Sequence, residues 1–262
     1  MKIIFSFIAL FYIFFPGVIL AQTQLDIKAF SESCDEISLS IVSSPTPPQY
    51  ASSLKIWNDK RPTKFNDADI LIIGDSIFEA WNENLAEEIL GKSVVNLSVG
   101  WDRIQNVLWR LDDFDRNLVN PSTIALLIGT NNFNDKSTET CAISAGIKFL
   151  VAKIHSYWPS ASIFLFSIPP RGAEYFDFEE DRQEINKSLE DWSNKQKSIH
   201  WVQIDDMGIS CNQRAEPKTE NRPACFVSRS CYFYKNDNLH FQPIAYEYFS
   251  KLLKINIEKF EN

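Results

Sequence analysis

The chain has 262 residues, 45% apolar and 13% aromatic, enough to bury a full core and of a size that suits one domain. Its formal net charge of −8, with a pI near 5.0, argues against nucleic acid or an anionic membrane surface as the main partner, because neither attracts an acidic protein. A small neutral substrate suits this balance better.

The first 24 residues, MKIIFSFIALFYIFFPGVILAQTQ, hold one Lys, an apolar run interrupted by Pro16-Gly17, and Ala21 at a cleavage position. This is the pattern of a secretory signal peptide over 1–21. The run is also about long enough to act as a membrane anchor. Either way the remainder is expected to be exported, as a secreted or periplasmic protein. All five cysteines, Cys34, Cys141, Cys211, Cys225 and Cys231, follow this segment. In an oxidising compartment some should pair, and the odd number leaves at least one free or bonded outside the chain. There is no CxxC and no Cys/His cluster with zinc spacing, so no metal site is expected. Two sequons, at Asn96 and Asn186, would matter only in a eukaryotic secretory pathway.

Residues 22–66 contain SSPTPPQY and NDKRPTKFND, which are Pro- and Ser-rich or charged and show no sustained period. They read as an N-terminal extension with a short helix around Ala51 to Trp57. From 67 to 262 the pattern is regular. Short β-rich runs at Ile70–Ile73, Ser93–Leu97, Thr123–Ile128, Ser162–Ile168 and His200–Ile204 alternate with helical spacing at Ile77–Leu90, Ile104–Leu111, Cys141–Trp158 and Glu180–Lys195. A last helix spans Ile244 to Phe260. Strand alternating with helix predicts an α/β fold, with a five-stranded parallel sheet between two helical layers in a three-layer α/β/α sandwich, because each parallel return needs a crossover.

In such a sheet the carboxyl ends of the strands collect chemistry. The first strand ends in GDS, the second runs into NLSVGWDR and the third ends in IGTNN. Ser76, at a strand end and a helix start, reads as a helix cap or as a nucleophile. A nucleophilic serine needs a base, and there are only three histidines. His155 lies in a predicted helix and His200 opens a strand. His240 stands in NDNLHF, three residues after Asp237, so one turn can present both side chains on one side. A carboxylate there can orient the imidazole and stabilise it once it has taken a proton.

The ordered blocks GDSIFEAW, NLSVGWDRIQNVLWRL, LLIGTNN, PPRG (Pro169 to Gly172) and DNLH resemble the SGNH, or GDSL, hydrolase superfamily. The likeness is strongest to the branch containing the catalytic subunits of platelet-activating factor acetylhydrolase type Ib, and covers roughly residues 66 to 255. The resemblance implies a flavodoxin-like SGNH hydrolase fold, with Ser76 as nucleophile, His240 as general base and Asp237 as its orienting partner. It also implies an oxyanion hole formed by the backbone N–H of Ser76, the side-chain amide of Asn131 and a backbone N–H of the second block. In the family that last donor is a Gly just before an Asp; here the position is Trp101, with Gly100 one residue earlier as the alternative. Trp109 and Arg110 match the family too, and core packing plus a surface ion pair accounts for them. The resemblance implies no cofactor. The absence of G-x-S-x-G argues against the nucleophile-elbow α/β-hydrolases.

The expected function is an exported serine esterase for short-chain, acetyl-type acyl esters, with acylated carbohydrates among the substrates. The alternatives are an O-acyltransferase of cell-envelope polysaccharide and a non-catalytic binding module on the same fold. Neither nucleic acid nor a membrane, beyond the N-terminal anchor, is expected as a partner. Because a charged, Pro-rich segment delivers Asp237 and His240, at least one disulfide is expected within Cys211, Cys225 and Cys231.

Overall fold

The computed structural model describes residues 25–31, 33–64, 67–172, 177–204 and 233–261. The expected signal peptide and the expected disulfide among Cys211, Cys225 and Cys231 lie outside these residues.

Five parallel strands form one sheet in the order β2-β1-β3-β4-β5. They are β1 (Ile70–Gly74), β2 (Val94–Asn96), β3 (Thr123–Leu127), β4 (Ser162–Phe166) and β5 (Ile199–Val202). β1 and β3 are buried at every position, as strands covered on both faces must be. Side chains alternate between the two faces. Leu71, Ile73, Ile124, Leu126, Ile163 and Leu165 face one core, which α5 (Ile104–Asp112), α6 (Thr140–Tyr157) and α7 (Glu179–Ser193) cover. Ile70, Ile72, Ala125, Leu127, Phe164 and Phe166 face the other, under α3 (Ser76–Glu79), α4 (Glu83–Leu90) and α8 (Pro243–Glu261). The expected three-layer α/β/α sandwich is the observed fold.

The single helix expected over Ile77–Leu90 is two. The chain leaves α3 after Glu79, buries Trp81 and caps α4 with Asn82, whose side chain accepts the Leu85 N–H at 3.0 Å. The Trp81 indole fills the core beside Phe78 and donates to Ser250 Oγ of α8 at 3.0 Å. A strong side-chain cap and a large buried ring outweigh the helical spacing.

The extension is more ordered than its composition suggests. It holds a 3-10 turn (Ile27–Phe30), α1 (Glu36–Ser43) and α2 (Ala51–Lys60). Leu39 and Val42 of α1 pack on Ala142 and Ala145 of α6. Trp57 of α2 is fully buried in the main core and donates its indole N–H to Asp113 Oδ2 at 2.8 Å. Cys34 and Cys141 form a disulfide, with Cα atoms 5.9 Å apart, that ties the extension to the start of α6. Glu139 lies against these sulfurs and accepts the Asp35 N–H at 3.0 Å. Both sequon asparagines are withdrawn from the surface: Asn96 and Asn186 are buried and donate to backbone carbonyls.

Candidate active site

β1 ends at Gly74, where any side chain would collide with the Leu127 carbonyl, 2.5 Å from a Cβ built there. Glycine lets β1 and β3 approach closely and turn off the sheet. Asp75 then caps α3, its Oδ1 accepting the Ile77 N–H at 2.9 Å, and Ser76 begins the helix, partly exposed. The cap belongs to Asp75, which leaves the Ser76 hydroxyl for another partner.

That partner is His240. Its Nε2 lies 2.9 Å from Ser76 Oγ, and its Nδ1 lies 2.7 Å from Asp237 Oδ2. The second Asp237 oxygen accepts the backbone N–H groups of Leu239 and His240, at 3.1 and 2.9 Å. Burial works to raise the Asp237 pKa, but the hydrogen bonds from His240 and Leu239 and the nearby imidazole outweigh it, and the carboxyl lies below its ordinary range. It therefore stays ionised at neutral pH.

The turn carrying both residues is fixed at several points. Tyr234 and Phe241 pair as an antiparallel bridge, and Lys235 N–H donates to the His240 carbonyl at 2.7 Å. The Gly172 N–H donates to the Asn238 carbonyl at 2.8 Å, and Tyr234 Oη donates to the Pro170 carbonyl at 3.0 Å. The Pro169–Gly172 block thus braces the Asp237–His240 turn. Its Arg171 reaches the other way, donating to the Thr130 carbonyl at 2.8 Å and to Asn134 Oδ1 at 2.7 Å, and so anchors the third block. The block was legible in the sequence, but this bracing role was not. Tyr246 of α8 completes the support by donating its hydroxyl to the Ile77 carbonyl at 2.8 Å.

Of the other histidines, His200 stacks on Phe260 at 3.9 Å and tilts against Phe164, while His155 lies within α6. Only His240 of the three meets Ser76 among the described residues, as its place beside Asp237 in the sequence leads one to expect.

The second block lies against Ser76. A methyl group on Gly100 would sit 3.7 Å from Ser76 Cβ and 2.7 Å from Glu79 Oε2. Trp101 has φ 69°, the left-handed conformation that suits glycine, while Gly100 does not. The position where the resemblance implies glycine thus has a glycine-like backbone here with an indole attached. Among the described residues, the N–H groups of Ser76 and Trp101 make no backbone hydrogen bond outside the regular elements. Asn131 is buried and donates one amide proton to the Asp102 carbonyl at 3.0 Å, which leaves its second proton available.

Arg110 departs from expectation. It is fully buried, so its ion pair is not a surface one. Nε lies 2.5 Å from Asp102 Oδ2, and the guanidinium also donates to the Leu97 carbonyl and, at 3.4 Å, to the Gly74 carbonyl. One side chain of α5 therefore ties the second block to the end of β1. Burial pushes Asp102 up to about 6 against the pull of Arg110, with Glu79 adding to the rise. Burial likewise pushes Asp75 up to about 7, against the Ile77 N–H bond, with Asp102 adding to the rise and Arg171 and Arg110 opposing it.

A family profile described as GDSL-like Lipase/Acylhydrolase family matches residues 72–247, from β1 to α8. The chain belongs to this family. Among relatives, the platelet-activating factor acetylhydrolase IB subunit beta homolog of Drosophila melanogaster is 31% identical over 145 residues, covering 53% of this chain and 61% of that protein. The alpha2 subunit of the same enzyme from Rattus norvegicus is 27% identical over 161 residues, covering 57% and 67%. The chain thus spans about three fifths to two thirds of these relatives. Among solved structures, a GDSL-like lipase from Bacteroides thetaiotaomicron superimposes with a TM-score of 0.53 at 18% identity, over 72% of this chain and 87% of that one. A carbohydrate esterase family 3 protein from Talaromyces cellulolyticus gives 0.54 at 12% identity, over 72% and 96%. At these identities the structural matches speak for the fold.

Proposed function

We propose that this acylhydrolase-family protein is an exported serine esterase that cleaves short-chain, acetyl-type acyl esters, with acylated carbohydrates among its substrates. The observation that carries the reading is the unbroken chain of short contacts from Asp237 through His240 to Ser76. In it, Ser76 Oγ attacks the ester carbonyl while His240 Nε2 takes its proton, and Asp237 stabilises the imidazolium. The negative charge on the carbonyl oxygen is met by the N–H groups of Ser76 and Trp101 and by the free amide proton of Asn131. Gly100 shapes the loop and is the alternative donor. Each such donor contributes about 3 kcal/mol to transition-state stabilisation. His240 then returns the proton to the departing alcohol, leaving the acyl group on Ser76. Water, deprotonated by His240, adds to the acyl carbonyl, and collapse releases the acid and restores the serine.

Export rests on the apolar segment at 1–21, and the Cys34–Cys141 disulfide supports an oxidising compartment. On this reading 1–21 is the signal, 22–66 the extension and 67–262 the hydrolase domain. Among the described residues no helix is long and apolar enough to cross a membrane.

The test is turnover of p-nitrophenyl esters of increasing chain length, with and without sugar acceptors. The reading expects highest kcat/KM for acetate, with free acid as the product. Acyl transfer to the sugar in preference to water would point to the O-acyltransferase instead. No turnover of any ester by folded protein would favour a binding module.

A further inference from the structure

We propose that Tyr50 and Trp101 form an aromatic platform at the rim of this site that holds the pyranose ring of a carbohydrate acyl ester, so that the N-terminal extension supplies part of the substrate site. The proposal rests on the esterase reading above and assigns its alcohol side. The two rings lie 5.3 Å apart, tilted by 55°, with Tyr50 45% and Trp101 58% exposed.

Folding does not account for either ring. A side chain in the left-handed region costs about 1 to 2 kcal/mol that glycine would avoid, and a half-exposed indole recovers little of it by burial. Tyr50 stands at the N-cap of α2 and its side chain makes no cap hydrogen bond. An outlier kept at this cost next to a reacting group points to a ligand.

The position of the platform is well determined. Ser53 Oγ, one turn along α2 from Tyr50, donates to the Gly100 carbonyl at 2.8 Å in a buried contact. Lys60 Nζ, at the end of α2, donates to the Ser98 carbonyl at 2.9 Å. The helix thus grips the loop that flanks Ser76 at Ser98 and at Gly100, and Tyr50, at its N-cap, reaches Trp101.

Polar groups on the same helix and along the same loop suit a sugar better than an alkyl chain. A cleft of about 490 Å³, at the far end of α2 from Tyr50, is lined by Asp59, Lys60, Glu79 and Asn82, among others, and meets the loop through Lys60 at Ser98 and Glu79 at Gly100. Glu79, whose carboxylate points at Gly100 beside Ser76, makes no side-chain hydrogen bond among the described residues. A pyranose has apolar C–H faces that lie on aromatic rings and equatorial hydroxyls that need such donors and acceptors. An acyl chain would call for aliphatic walls.

Binding and turnover test this separately. In Ser76→Ala protein, xylohexaose, cellohexaose and chitohexaose are titrated against tryptophan emission, with 1-hexanol as the apolar probe. At least one sugar should give a saturable change, with Kd raised at least tenfold by Tyr50→Ala and restored by Tyr50→Phe. No change with any sugar, equal affinity in Tyr50→Ala, or a response to 1-hexanol alone overturns the platform. In protein with Ser76 intact, Tyr50→Ala should lower kcat/KM for the acetylated form of the bound sugar at least tenfold relative to p-nitrophenyl acetate. An equal fall for both, or for neither, also overturns it. Sugar binding that depends on Tyr50 without turnover of any ester would leave the platform standing and remove the esterase reading.

Discussion

Arg110 and Asp102 form a fully buried ion pair, 2.5 Å apart, between α5 and the loop that flanks Ser76. Removing one partner from such a pair leaves a charge with no compensation, which costs about 3 to 5 kcal/mol. Arg110→Met is therefore expected to lower the urea midpoint by a corresponding amount, and Asp102→Asn combined with Arg110→Met to recover part of the loss. A single-variant loss below about 1 kcal/mol would mean that the pair is dispensable.

The pH dependence of stability follows from Asp75. Its pKa rises from 3.8 in the unfolded chain to about 7 in the fold, so the native state binds more protons between those values. Its contribution is fully present below about pH 4 and is lost as pH rises through about 7. Asp102 acts in the same direction up to about 6. Urea unfolding should show wild type losing on the order of 2 kcal/mol more than Asp75→Asn between pH 5 and 8. Parallel pH profiles for the two proteins would contradict this.

The Cys34–Cys141 disulfide closes a long loop, with a sequence separation of 107. Cross-links of this kind stabilise by about 2 to 4 kcal/mol, largely by restricting the unfolded chain. Replacing Cys141 with Ser should lower the thermal midpoint and loosen the extension before the sheet, so hydrogen exchange in 36–60 should rise first. Unchanged protection there would show that packing of Val42 and Trp57 suffices.

Much of this was legible in the sequence because the signals were local. Ile70–Ile73 followed by Gly-Asp-Ser announces a buried strand and a turn, and Asp237 and His240 lie within one turn of chain. The failures came where tertiary contacts decide. Arg110 sits in an amphipathic helix and looks like a surface cation; only the convergence of Leu97, Gly74 and Asp102 around it shows a buried hub. The break at Ala80–Asn82 was hidden by helical spacing that continues across it. The extension lacked a period because α1 and α2 are short, and Tyr50, Ser53 and Lys60 gain meaning only from the loop they reach. Trp101 was recognised as a departure, but its left-handed backbone required coordinates.

The central claim is that Ser76 is the nucleophile, and Ser76→Ala tests it most directly. With acetate ester as substrate, kcat should fall by roughly a thousandfold or more, while the circular dichroism spectrum and urea midpoint stay close to wild type. Comparable turnover by the purified, folded variant would contradict the account.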